Sequence, residues 1–188
     1  MNMGMKGVLL ALAVLPLPAL AAELVLAGSA LPPLQVSAGT RISGGHDPAL
    51  APAAQGNTRA PAAPLSRVVV VAVGSSQAGG WEYMTTPGQL STVQDHGGAE
   101  LSVVIMEVGY GGSPSASMNG ALLPRSAEYK TEPLCLNGGD YTPCSVGQTY
   151  VAWLRYYQVD GSQEGNFHYQ NTSINAPFNT LSTDIYVR

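Results

Sequence analysis

The sequence predicts an α+β, sheet-rich fold, a small mixed or antiparallel β-sheet or sandwich domain with one short helix. Three observations predict it. Two segments, "RVVVVAVG" (67–74) and "ELSVVIMEVGYG" (100–111), are apolar on both faces and rich in β-branched residues, as buried strands are. Two later segments, "QTYVAWLRYYQV" (148–159) and "NFHYQNTS" (166–173), keep a period of two. One segment, "TTPGQLSTVQDHGG" (85–98), carries helix punctuation.

The chain divides into three parts. Residues 1–21 read as a signal peptide: Lys6, an apolar run from Val8 to Leu20, and the small-x-small site Ala19-Leu20-Ala21. The run is too short for the ~20 apolar residues of a membrane helix. Residues 22–64 are half Ala, Pro and Gly and hold no aromatic residue. Such a stretch buries too little surface to offset its chain entropy, so it reads as a flexible linker or propeptide. Residues 65–188 form the single β-rich domain, with every aromatic residue at or after Trp81.

Within that domain the elements follow in order. "RVVVVAVG" is the first strand. Thr86 as N-cap, Pro87 at the first helical position and Gln89 completing a capping box start a helix that runs to Asp95, and Gly97-Gly98 end it. The next strand has Leu101, Val103 and Ile105 on one face and Val104, Met106 and Val108 on the other, the pattern of a central strand. Strand, helix and strand in that order suggest a right-handed parallel crossover. Residues 110–128, rich in Gly, Ser and Pro, read as a long surface loop. "AEYKTEPLCL" (127–136) reads as a short strand leading into the cysteine loop. After "QTYVAWLRYYQV", Asp160-Gly161 marks a turn into a hairpin strand, and "TDIYVR" closes the sheet.

Composition removes several classes of function. The formal net charge is −4, and no run of basic residues occurs. Nucleic acid, whose phosphates demand clustered Lys and Arg, is not expected as a partner, and neither is stable membrane insertion. Export to a secreted or periplasmic location makes the two cysteines, Cys135 and Cys144, a disulfide across "CLNGGDYTPC". Such a loop stabilises a fold by about 2.5–3 kcal/mol. No histidine lies within twenty residues of either cysteine, so zinc is not expected there. Asn137 and Asp140 are too few oxygens for calcium, and no cofactor is expected.

The residues that can carry chemistry are few. Asp95 and His96 at the end of the expected helix form an acid–base pair, with Ser76 after the first strand as a nucleophile. Yet "VGSSQAGG" is not the G-x-S-x-G elbow, and a turn histidine beside loop serines is the plainer reading. His168, His96 and Glu100 would make a metal site only by converging. Trp81 in its Gly-rich loop suits a stacking contact or a core edge about equally. Polar amides concentrate in "YQNTSINAPFNT", where Gln170, Asn171, Asn175 and Asn179 can hydrogen-bond a ligand or make turns.

The segments "VGSSQAGGWE", "DHGG", "VGYG" and "WLRYYQVDGSQEGNFHYQNTSINAPFNTLSTDIYVR" together resemble the YolA-like secreted bacterial proteins, a family of unknown function also met in prophage regions. The resemblance covers about 70–188 and implies a small exported β-rich domain. It implies no activity and no catalytic residues, and the Ala/Pro-rich linker is not part of it.

The sequence therefore favours a secreted, non-enzymatic binding or interaction protein whose partner is an extracellular surface, polysaccharide or competitor-cell target. Trp81, His168, Gln170, Asn171 and Asn175 are its ligand candidates. One alternative is a small secreted hydrolase using His96 with Asp95 or Ser76. Another is a secreted toxin or competition factor, which rests only on the prophage association.

Overall fold

In a computed structural model, residues 62–86, 88–162 and 164–188 are described. The expected signal peptide and nearly all of the expected linker lie outside them. Ten strands carry this part of the chain: β1 (Arg67–Ser75), β2 (Gly80–Tyr83), β3 (Leu101–Val108), β4 (Ser115–Met118), β5 (Ala121–Leu122), β6 (Glu128–Asn137), β7 (Asp140–Pro143), β8 (Ala152–Gln158), β9 (Gly165–Thr172) and β10 (Thr180–Val187). They form a six-stranded sheet, ordered β2-β1-β3-β8-β6-β7, and a four-stranded sheet, ordered β10-β9-β4-β5. Every strand pairing within them is antiparallel.

The double-faced apolar pattern of β3 has a physical consequence. All eight of its residues are buried, and it sits between β1 and β8. One face meets the second sheet. There Val103, Ile105 and Tyr157 pack with Phe167, Tyr169 and Ile185 from β9 and β10. Among the described residues the other face, with Val104, Met106, Leu154 and Tyr156, is covered by residues of its own sheet and the turn before β8, and the sheet curls over itself as a half-barrel. Trp81 seals one margin of that cluster. Its ring lies where a Gly74 Cβ would stand, 2.5 Å from Cε3, so a glycine is required at 74.

Four expectations are corrected, three of them before β6. No helix forms between Gly88 and Asp95; among the described residues the only helical element is a 3-10 turn at Arg125–Ala127. The backbone donors of that segment go elsewhere: Val93 and Gln94 to the Glu82 carboxylate, and Thr92 to the Tyr186 carbonyl at the edge of β10. The parallel crossover is absent, because β1 and β3 pair antiparallel. The expected loop at 110–128 contains β4 and β5, with Ala116 and Met118 turned into the core.

Asp160-Gly161 is a turn, but it passes the chain from β8 in one sheet to β9 in the other. The hairpin is instead β9–β10. β6 and β7 form the stapled hairpin. Asn137 pairs with Asp140 across Gly138 and Gly139, both at positive φ, the geometry a two-residue primed turn demands. The Cys135–Cys144 disulfide closes it.

The N-terminal residues of the described domain are tied down. Leu65 is buried, its N–H donates to Ser173 Oγ, and Asn175 Nδ2 donates to the Ala62 carbonyl.

Candidate functional site

β9 alternates without interruption. Phe167, Tyr169 and Asn171 face inward, and Asn166, His168, Gln170 and Thr172 face outward. The register with β10 sets Thr180, Ser182, Asp184 and Tyr186 beside these outward groups. β4 adds Ser115 opposite Gln170 and Ser117 opposite His168. Two rows therefore run across three strands, Ser115–Gln170–Ser182 and Ser117–His168–Asp184. Strand geometry spaces their groups by ~4.8 Å across the sheet and ~6.8 Å along it. The groups are held in place: His168 Nδ1 lies 2.7 Å from Asp184 Oδ1, Asn166 Nδ2 donates to the same oxygen, and the hydroxyls of Thr172 and Thr180 are 2.8 Å apart. Tyr186, 41% exposed, stands at one end as an aromatic surface. Beside β10 a recess of about 290 Å³ continues this face, lined in part by Arg67, Met84, Gln89, Leu90, Ser182 and Asp184.

Two charged centres lie beneath the surface. The first joins Glu82 of β2 to His96. Glu82 accepts from the Val93 and Gln94 N–H groups, each at 2.8 Å, and its Oε2 is 3.2 Å from His96 Nε2. Burial pushes this carboxyl up, but the two backbone donors and His96 outweigh it and hold it below the usual carboxylate range. His96 is fully buried, and its backbone N–H donates to the Arg188 carbonyl. Its Nδ1 has no partner among the described residues.

The second centre lies between the sheets. Glu107 on β3 is fully buried and accepts from Arg155 Nε at 2.6 Å and from Tyr169 Oη and Asn171 Nδ2 at 2.5 Å each. Arg155 on β8 also reaches Glu128 at 2.7 Å, which in turn accepts from Tyr157 Oη and Thr131 Oγ1. Burial disfavours the Arg155 cation, but Glu107 and Glu128 outweigh that and hold its proton more tightly. Burial, with Glu107 beside it, pushes the Tyr169 hydroxyl up, and burial beside Glu128 does the same to Tyr157, so both remain donors. This is a satisfied network of the kind that fixes how two layers pack.

The sequence candidates are distributed among these places. His168 and Gln170 share the outer face. Asn171 is buried on Glu107, and Asn175 and Asn179 reach the carbonyls of Ala62 and Leu65. Trp81 packs on the half-barrel cluster. Ser76 is exposed in a turn, where its Oγ accepts from the Glu100 N–H. Asp95, also exposed, accepts from Gln77 and from the Gly97 N–H, whereas the carboxylate on His96 is Glu82. Among the described residues no group of three His, Cys, Asp or Glu side chains is placed to hold a metal ion.

Glu82, Glu107, Glu128, Arg155 and Asp184 did not stand out in the sequence. A signal existed for two of them: Glu107 in "LSVVIMEV" and Arg155 in "AWLRYYQ" are opposite charges inside apolar strands, and a charge in such a strand needs a buried partner.

Residues 60–187 match the family described as "Domain of unknown function (DUF4879)", and the chain belongs to that family. No curated protein and no solved structure matches it.

Proposed function

We propose that this DUF4879 member is an exported, non-enzymatic binding module that holds an extended, hydroxyl-rich ligand such as a polysaccharide on the outer face of β9 and β10. The observation that carries the reading is the run of polar side chains Asn166, His168, Gln170 and Thr172 beside Thr180, Ser182, Asp184 and Tyr186. Amides, hydroxyls, one carboxylate and an imidazole supply donors and acceptors at regular spacing, and Tyr186 offers a ring for stacking. A sheet face with regularly spaced polar groups suits an extended chain, and the recess beside β10 gives it a side wall. The intramolecular bonds of Asp184 and Thr172 reduce the entropy lost on binding.

The resemblance to YolA-like secreted proteins supports the exported part of the reading, as does the disulfide. Among the described residues no helix is long and apolar enough to cross a membrane. The hydrolase alternative is less well supported, because a general base must reach its substrate and the His96 side chain is fully buried.

Retention on a panel of immobilised polysaccharides tests the reading. The full chain is expected to be retained by at least one of them, and His168→Ala with Gln170→Ala is expected to abolish retention while leaving the thermal midpoint unchanged. Retention unaffected by this pair, or hydrolysis of the panel lost with His96→Ala, would overturn it.

A further inference from the structure

A second cleft, on the far side of β4 from the proposed face, has its own chemistry. β4 and β5 are joined at Asn119-Gly120, both at positive φ, and the Leu123 N–H returns to the Ala116 carbonyl. The chain then enters the 3-10 turn at Arg125–Ala127 and leaves it at Glu128, whose N–H bonds the Arg125 carbonyl. These segments help line an open cleft of about 400 Å³. Its lining combines an apolar wall from Pro114, Leu122 and Leu123 with opposite charges at Arg125 and Glu128.

The two charges differ in how they are held. Glu128 is anchored by Arg155, Thr131 and Tyr157, three donors against roughly four lone-pair directions, so the carboxylate keeps capacity for one more donor. One guanidinium, Arg155, serves both Glu128 and Glu107. Arg125 is exposed, and no carboxylate among the described residues pairs with it. The cleft thus presents a positioned anion with spare capacity, a cation that no carboxylate among the described residues pairs, and an apolar wall. Ser113 and Ser115 also line the cleft.

We propose that this cleft binds a small zwitterion with an apolar body, a free α-amino acid with an aliphatic side chain. Its ammonium pairs with Glu128, its carboxylate with Arg125, and its side chain lies on Leu122, Leu123 and Pro114. A dicarboxylate or a diamine would bring one like charge against the cleft, so the pairing also selects against both.

The test is a titration of the full chain followed by backbone amide NMR, with L-leucine, leucinamide and 4-methylpentanoate as probes. L-leucine is expected to give saturable shifts at Ser113, Ser115, Arg125 and Glu128. Leucinamide, lacking the carboxylate, and 4-methylpentanoate, lacking the ammonium, are each expected to bind about tenfold more weakly or worse, a loss of one charged pair. Arg125→Gln, at an exposed position, should reproduce the leucinamide loss with the fold intact. His168→Ala with Gln170→Ala should leave L-leucine binding unchanged, which separates this cleft from the polysaccharide face. Absence of saturable shifts at these four residues, shifts confined to other regions, or equal binding of leucinamide would overturn the proposal.

Discussion

Replacing Arg155 by alanine would expose how the two sheets are held together. The Arg155 side chain is 16% exposed, and its guanidinium bonds Glu107 at 2.6 Å and Glu128 at 2.7 Å. Its removal leaves Glu107, itself fully buried, with only the Tyr169 and Asn171 donors. Breaking a buried pair by removing one partner costs about 3–5 kcal/mol, because the remaining charge is uncompensated. Against a total of about 5–15 kcal/mol for a domain, that is a large share. At roughly 4 °C per kcal/mol the thermal midpoint should fall by about 12–20 °C. Urea unfolding followed by tryptophan fluorescence measures the change. Combining Arg155→Met with Glu107→Gln removes both charges and should recover much of the loss. A cost under about 1 kcal/mol for Arg155→Ala, or a double variant no better than the single, would refute the view that the members of this network depend on one another.

Further expected outcomes follow from the same geometry. Glu82 has its carboxyl held below the ordinary value of 4.5, so the stability it contributes is present above that value and is lost as the pH falls through the folded-state value. Unfolding midpoints of the natural chain should therefore drop below about pH 4.5, and Glu82→Gln should flatten that acid limb. Gly111→Ala would place a Cβ 2.1 Å from Asn171 Nδ2, displacing the amide from Glu107; a loss of about 1–3 kcal/mol in urea unfolding is expected. Gly74→Ala meets the Trp81 ring at 2.5 Å and should cost a similar amount, with a shift in tryptophan emission as the second readout. Replacing Cys135 and Cys144 together by serine should cost about 2–3 kcal/mol, since the closed loop is short.

Much of the sheet was legible because apolar alternation leaves few choices. In "LSVVIMEV" every position is apolar, small or capable of a buried bond, so β3 had to be central. "NFHYQNTS" declared which side chains of β9 face outward, and hence that His168 and Gln170 share a surface. The expected helix at 87–95 does not form, for a physical reason. Its capping signals are local, whereas the donors of Thr92, Val93 and Gln94 are taken by the Tyr186 carbonyl and the Glu82 carboxylate, from elements that sequence spacing does not bring near. The amides divided for a similar reason. Asn171 lies one residue from Gln170, yet period two sends it inward to Glu107. Its role depends on a residue of the other sheet, 64 positions away, which local pattern does not encode.

The most direct measurement of the binding reading is an amide NMR titration of the full chain with a soluble oligosaccharide drawn from whichever polysaccharide retains it. Shifts are expected along 166–172 and 180–186, with the outward residues His168, Gln170, Ser182 and Asp184 moving together at one saturation point. Shifts centred instead on Ser76 and His96, with the β9–β10 face silent, would contradict it.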